Sequence, residues 1–110
     1  MDDLHKVFEY AEANLVDIDN VSNSKDLFAA SVRNWAIMRA LERSIQAHDD
    51  AEVSPFTGIF PVTTLEVIEG LLYELDYDEQ VSKSEYGIFG FGIAYDEILK
   101  MYQFVKGNKK

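Results

Sequence analysis

The stretch Tyr86-Gly87-Ile88-Phe89-Gly90-Phe91-Gly92-Ile93-Ala94-Tyr95 decides the fold of this chain. Its three glycines suit a loop or a short strand as far as about residue 93. Read as a helix, the same stretch and its continuation bring Ile88, Phe91, Tyr95, Ile98, Tyr102 and Val105 onto one face. Gly87, Gly90 and Ala94 then form a narrow strip of small residues beside that face, where a second helix approaches closely. Each glycine costs roughly 1 kcal/mol relative to alanine inside a helix, so close packing must offset it. The stripe favours a helix from Gly92 at the latest, ending at Gly107 with Lys106 suited to the carboxyl end. No other segment reads as a strand. The fold class is therefore all-α: residues 1–110 form a single domain, a small bundle of four main helices with a long connection between helices two and three.

Upstream, helix three announces its start. Thr63 and Glu66 have the spacing of a capping box, and Val62 with Val67 that of a hydrophobic staple. Leu65, Ile68, Leu71, Leu72 and Leu75 set its buried stripe. The same signs precede helix four, with Ser82 and Glu85 as the box and Val81 and Tyr86 as the staple.

Helix one covers about residues 3–15, with Leu4, Val7, Phe8, Ala11 and Leu15 as its stripe and Asp2 or Asp3 as its cap. After a turn at Asp17-Ile18-Asp19-Asn20, helix two runs roughly over 24–47, capped by Asn23. Its apolar residues (Leu27, Phe28, Ala30, Val32, Trp35, Ile37, Met38, Leu41, Ile45) occupy more than a third of the circumference, which predicts packing on two sides. Arg39 and Glu42 fall inside that arc, spaced to pair with each other. Residues 48–62, broken by Pro55, Gly58 and Pro61, make the connection and carry Phe56, Ile59 and Phe60.

Charge is distributed unevenly. Residues 44–82 hold nine carboxylates and no Lys or Arg, whereas 1–43 carry eight acids against five bases and 83–110 three against five. The three parts contribute −3, −9 and +2 to the formal net charge of −10. Such acidity disfavours direct contact with nucleic acid or an anionic membrane. The absence of Cys excludes disulfides, thiolate nucleophiles and sulfur-bound metals. The opening Met1-Asp2-Asp3-Leu4-His5-Lys6 is unlike a secretory signal, and no apolar run approaches membrane-spanning length. The expected location is cytoplasmic.

Metal and cofactor chemistry find little support, and none of either is expected. Glu9 with Glu12, and Glu66 with Glu69, place paired acids on helix faces as in the MazG-type nucleotide pyrophosphohydrolases. The second Glu-x-x-Asp of that family is missing, since Glu85 leads to Ile88 and Glu97 to Lys100. A calcium loop at Asp17 fails because its later ligands fall on Val21, Lys25 and Phe28. His5 near Glu9, and His48 before Asp49 and Asp50, read as surface groups. Gly87, Gly90 and Gly92 do not have dinucleotide-binding spacing.

One segment points to catalysis. Arg43-Ser44-Ile45-Gln46-Ala47-His48 resembles the Arg-x4–6-His signature of HEPN ribonucleases, small all-α dimers. The resemblance covers six residues, with Ser44 where that family usually has Asn, Asp or His. It implies metal-independent RNA cleavage, or a role in a toxin–antitoxin pair, with Arg43 stabilising phosphate and His48 transferring a proton.

The acidic stretch supports a different reading, that of a non-enzymatic protein-binding or regulatory protein. Most such charge is simply the solvated side of a helix. Here it runs unbroken, includes Tyr73 and Tyr77, and follows the apolar loop residues. The expected partner surface is Phe56, Ile59, Phe60, Glu66, Glu69, Tyr73, Glu74, Asp76, Tyr77, Asp78 and Glu79. The expected partner is another protein with a basic surface, such as the groove of a nucleic-acid-handling protein. The chain would then act as a small acidic inhibitor of the phage or mobile-element type. Self-assembly is the third class: the basic carboxyl-terminal part, with Lys100, Lys106, Lys109 and Lys110, meets the acidic middle of a neighbour, or a homodimer closes over the glycine strip.

Overall fold

The computed structural model describes residues 3–53 and 63–107, the side chains of residues 50–53 excepted. Among the described residues there are four α-helices and no strand: α1 (Leu4–Asn14), α2 (Ser24–Val53), α3 (Thr64–Val81) and α4 (Glu85–Lys106). A 3-10 turn, Ile18–Asn20, links the first two, and Asp17 accepts a hydrogen bond from the backbone N–H of Asp19. The all-α bundle is as the sequence predicts.

The glycine-rich stretch is helical throughout. A Cβ on Gly90 would lie 3.3 Å from Cζ of Phe28 and 3.9 Å from Cγ2 of Val32. The missing side chain lets α2 lie against α4, which offsets the glycine's poor helix propensity. Ala94, fully buried, continues the contact. The buried face is rotated from the expected one, consisting of Ala94, Glu97, Ile98, Met101 and Val105. Ile88 is exposed, while Phe91, Tyr95 and Tyr102 flank the core. Gly107 ends the helix in the left-handed region at φ 75°, and its N–H bonds the carbonyls of Gln103 and Phe104.

α2 and α4 run parallel, side by side. Phe28 meets Tyr86 and Phe89, and five residues later Arg33 lies beside Ile93 and Glu97. α1 packs antiparallel against this pair on one side, with Lys6 donating to the carbonyl of Val105 and Tyr10 bonding Glu97. α3 packs on the other side, also antiparallel, as Glu69 meets Tyr102 and Glu79 lies near Gly92. The core joins Val7, Tyr10 and Ala11 to Ala36, Ile37 and Ala40, then to Ile68, Leu71, Leu75 and the buried face of α4. Two of the three α2 residues in it are alanines, so one long helix can approach three neighbours closely.

Several local expectations change. In α1, Phe8 and Leu15 are exposed and Tyr10 is buried in their place, because its hydroxyl finds a carboxylate partner inside. Asp3 stands at the cap position without a capping hydrogen bond; Asp2 lies outside the described residues. Asn23 caps α2 as predicted, accepting from the N–H groups of Lys25 (2.8 Å) and Asp26 (3.2 Å). α2 continues six residues beyond position 47, to Val53. Arg39 does not pair with Glu42: it lies 3.7 Å from Glu74 of α3, a partner that comes from another helix.

Both bonds of the Thr63–Glu66 capping box form, at 3.2 and 2.9 Å. Val62 lies outside the described residues. Ser82 is the residue that closes α3, and Ser84 caps α4 by accepting from the N–H of Gly87 at 2.9 Å. Glu85 is thus the first helical residue, and the exposed Val81 and Tyr86 form no staple.

Candidate functional site

The 3.6-residue period of α3 sorts its acids onto different sides. Glu66, Glu69, Tyr73, Asp76 and Tyr77 share one exposed face, where Tyr73 and Tyr77 are 78% and 64% exposed. Glu74 stands apart, turned toward α2. Both of its oxygens accept from Nη2 of Arg43, at 3.0 and 3.1 Å, with Arg39 adding a second cation. Asp78 and Glu79 are half-buried on the flanks. Phe56, Ile59 and Phe60 lie outside the described residues.

On the shared face, each carboxylate also has a task within the fold. Glu66 closes the capping box, Glu69 accepts from the hydroxyl of Tyr102 at 2.8 Å, and Asp76 accepts from Gln80 at 3.0 Å. The Glu69 bond holds the Tyr102 hydroxyl above its ordinary pKa, because phenolate beside carboxylate is unfavourable. These bonds fix the carboxylates in position. The two tyrosine rings project between them.

Arg43 and His48 both lie on α2. Five residues on an α-helix correspond to about 140° of rotation, so the two side chains leave the helix in different directions. Arg43 is held bidentately by Glu74, and His48 is half-buried with a partner of its own. No group of three metal-ligating side chains exists among the described residues. No described helix is long and apolar enough to cross a membrane.

A second surface is missing from the sequence reading. Phe28, Val32, Trp35, Tyr86, Gly87, Gly90 and Phe91 line an apolar groove of about 370 Å³ between the amino-terminal halves of α2 and α4. Phe28 stacks on Phe89 at 5.8 Å and meets Tyr86 edge-on at 5.7 Å. Helical periodicity placed Phe28, Val32 and Trp35 in the core. The signal that distinguishes them is the excess of apolar residues around α2, more than one buried face can use.

Beneath α1, a third feature joins Tyr10 to Glu97, whose carboxylate is almost wholly buried. Arg33, Asp96, Lys100 and Gln103 share a recess of about 230 Å³ with it. Burial and this hydrogen bond raise the Tyr10 hydroxyl far above its ordinary pKa, burial being the larger cause.

No protein-family model matches the chain, and comparison with curated proteins and with solved structures likewise gave no match.

Proposed function

We propose that this is a non-enzymatic protein-binding module that uses the outer face of α3 to engage a basic surface of another protein. What supports this reading is the alignment of Glu66, Glu69 and Asp76 with the exposed rings of Tyr73 and Tyr77 on one side of one helix. Carboxylates steer a cationic partner and fix its register, while tyrosine rings supply contact area at small entropic cost. A cation of the partner also meets each ring face favourably.

Charge spacing bears on what kind of partner. From Glu66 to Asp76 the helix rises about 15 Å and presents three carboxylates, whereas duplex DNA carries a charge every ~1.7 Å. The face suits a basic helix or loop rather than imitating a duplex phosphate array. A protein that handles nucleic acid qualifies through such an element, and the effect of capture is inhibition. The ribonuclease reading gains no support from the geometry, because Glu74 neutralises Arg43.

The test is capture from lysate with the purified chain as bait, washed at low and moderate salt. A face variant, Glu69→Gln with Asp76→Asn, Tyr73→Ala and Tyr77→Ala, is run alongside. A basic protein held at low salt by the natural chain and lost with the variant supports the assignment. Equal retention by both baits rejects it.

A further inference from the structure

The outward side of α2 carries an apolar surface that no described element covers. Buried positions of this helix (Ala30, Ala36, Ile37, Ala40, Ser44) point one way, and Ser31, Trp35, Met38 and Glu42 point the other. Trp35 is 44% exposed, and through Phe28 this side continues to Tyr86, 76% exposed, and Phe89, 45% exposed. At roughly 200 Å² per aromatic side chain, those three rings alone leave about 330 Å² in contact with water. Exposed Leu27 and Met38 enlarge this, as does exposed Val16, held beside α2 by two hydrogen bonds with Asn34. Monomers seldom expose a contiguous apolar patch beyond ~300–600 Å², and a stable interface needs about 800 Å² from each partner, polar rim included.

Charge around the patch bears on what could cover it. Residues 27–38 contain no carboxylate, although the chain has a net charge of −10. Exposed Asp26 and half-buried Arg39 border this stretch; just beyond them stand exposed Lys25 and exposed Glu42, 17 positions apart, with residues 33 and 34 midway between. An antiparallel copy of the same helix centred there brings Lys25 of each level with Glu42 of the other, the long lysine reaching in from the edge of the face, about 80° round the helix from Trp35. Both pairs form at once, about 25 Å apart, one at each end of the apolar row. In that register Trp35 faces Ser31 and Val32 across the axis, a large side chain against a small one.

We propose that the outward face of α2 is the interface of a two-fold symmetric homodimer, with the two α2 helices antiparallel and Trp35 near the centre. The symmetry is closed, so assembly stops at two chains. The acidic face of α3 takes no part and stays available in both copies.

Sedimentation equilibrium of the full chain over a range of concentrations tests this directly. The expected species is twice the 12.5 kDa chain, about 25 kDa. Trp35 is the only tryptophan, so its emission shifts to the blue as the dimer forms. Trp35→Asp and, separately, Met38→Asp give monomers whose far-ultraviolet helical signal is unchanged. Lys25→Glu alone and Glu42→Lys alone each weaken association about three- to tenfold, and the two together restore it to within about twofold. A 12.5 kDa species at every concentration overturns the proposal, as does a dimer that tolerates both aspartate variants while remaining folded. A double charge exchange that fails to rescue overturns the antiparallel register.

Discussion

Tyr10 of α1 donates its phenolic hydrogen to the carboxylate of Glu97 in α4, across 87 positions of sequence and with both side chains buried. The bond satisfies a carboxylate that has left water with no ion-pair partner among the described residues, and it ties the shortest helix to the centre of the bundle. Burying an acid is tolerable only where such a donor exists. The hydroxyl thus explains how Tyr10 comes to be buried while Phe8, which periodicity assigns to the core, stays exposed.

Stability should fall at alkaline pH because of this pair. Tyr10 titrates in the folded state well above its unfolded value of about 10. The unfolded chain therefore loses its proton first, and the stabilisation, complete below pH ~10, declines as pH rises beyond that. The slope from this group approaches about 1.4 kcal/mol per pH unit. Urea titrations between pH 8 and 11.5 measure it. Tyr10→Phe should flatten the decline and cost about 1–3 kcal/mol at neutral pH, since Glu97 then loses its donor. An unchanged slope in that variant would assign the decline to other groups.

Glu74→Ala should cost about 0.5–1 kcal/mol, and high salt should reduce the loss. Glu74 meets Arg39 and Arg43, yet all three side chains are more than a third exposed, so screening limits the contribution. Glu42→Ala, which removes the partner suggested by local spacing, should change monomer stability by less than ~0.5 kcal/mol. Chemical denaturation at low and at 1 M salt separates the two; equal losses would refute the observed pairing.

Glycine replacements should divide by what surrounds them. A Cβ at Gly70 meets nothing within 4 Å, and one at Gly92 meets only a Glu79 oxygen at 3.6 Å. Alanine at either site should therefore stabilise by about 0.5–1 kcal/mol, raising Tm by several degrees. Gly90→Val should destabilise by about 1–3 kcal/mol, because Phe28 already occupies that space and is held between two other rings. Thermal melts of the three variants give the order.

Two serines near the start of α4 make a further comparison. Ser84→Ala should cost about 1 kcal/mol by removing the bond to Gly87, and Ser82→Ala less than half of that. The reverse order would move the cap back to Ser82.

Legibility followed the range of the interaction. Thr63 with Glu66, Asn23 and Gly107 were readable because each makes its bonds within four residues. Ser82 and Ser84 both have capping chemistry, and the choice between them depends on how far α3 continues, which local spacing does not encode. The Arg39–Glu74 contact and the Tyr10–Glu97 bond join separate helices, so adjacent residues carry no trace of either partner. Tyr73 and Tyr77 were legible as neighbours of acids. Whether each acid faced solvent or α2 depended on how α3 is rotated against the bundle.

The slight attachment of α1 has a consequence for how the molecule opens. This helix buries only Val7, Tyr10 and Ala11, whereas α3 and α4 form a hairpin joined by a three-residue link, Ser82 to Ser84. Sequence-local pairs assemble early and are the last to come apart, and a short helix held by three buried side chains and two hydrogen bonds separates first. When α1 lifts away, Glu97 regains water, so part of the cost of exposing Val7 and Ala11 is offset by hydration of a carboxylate. The bundle thus breathes at one edge: a brief departure of its first helix, with the remaining three still packed around α4.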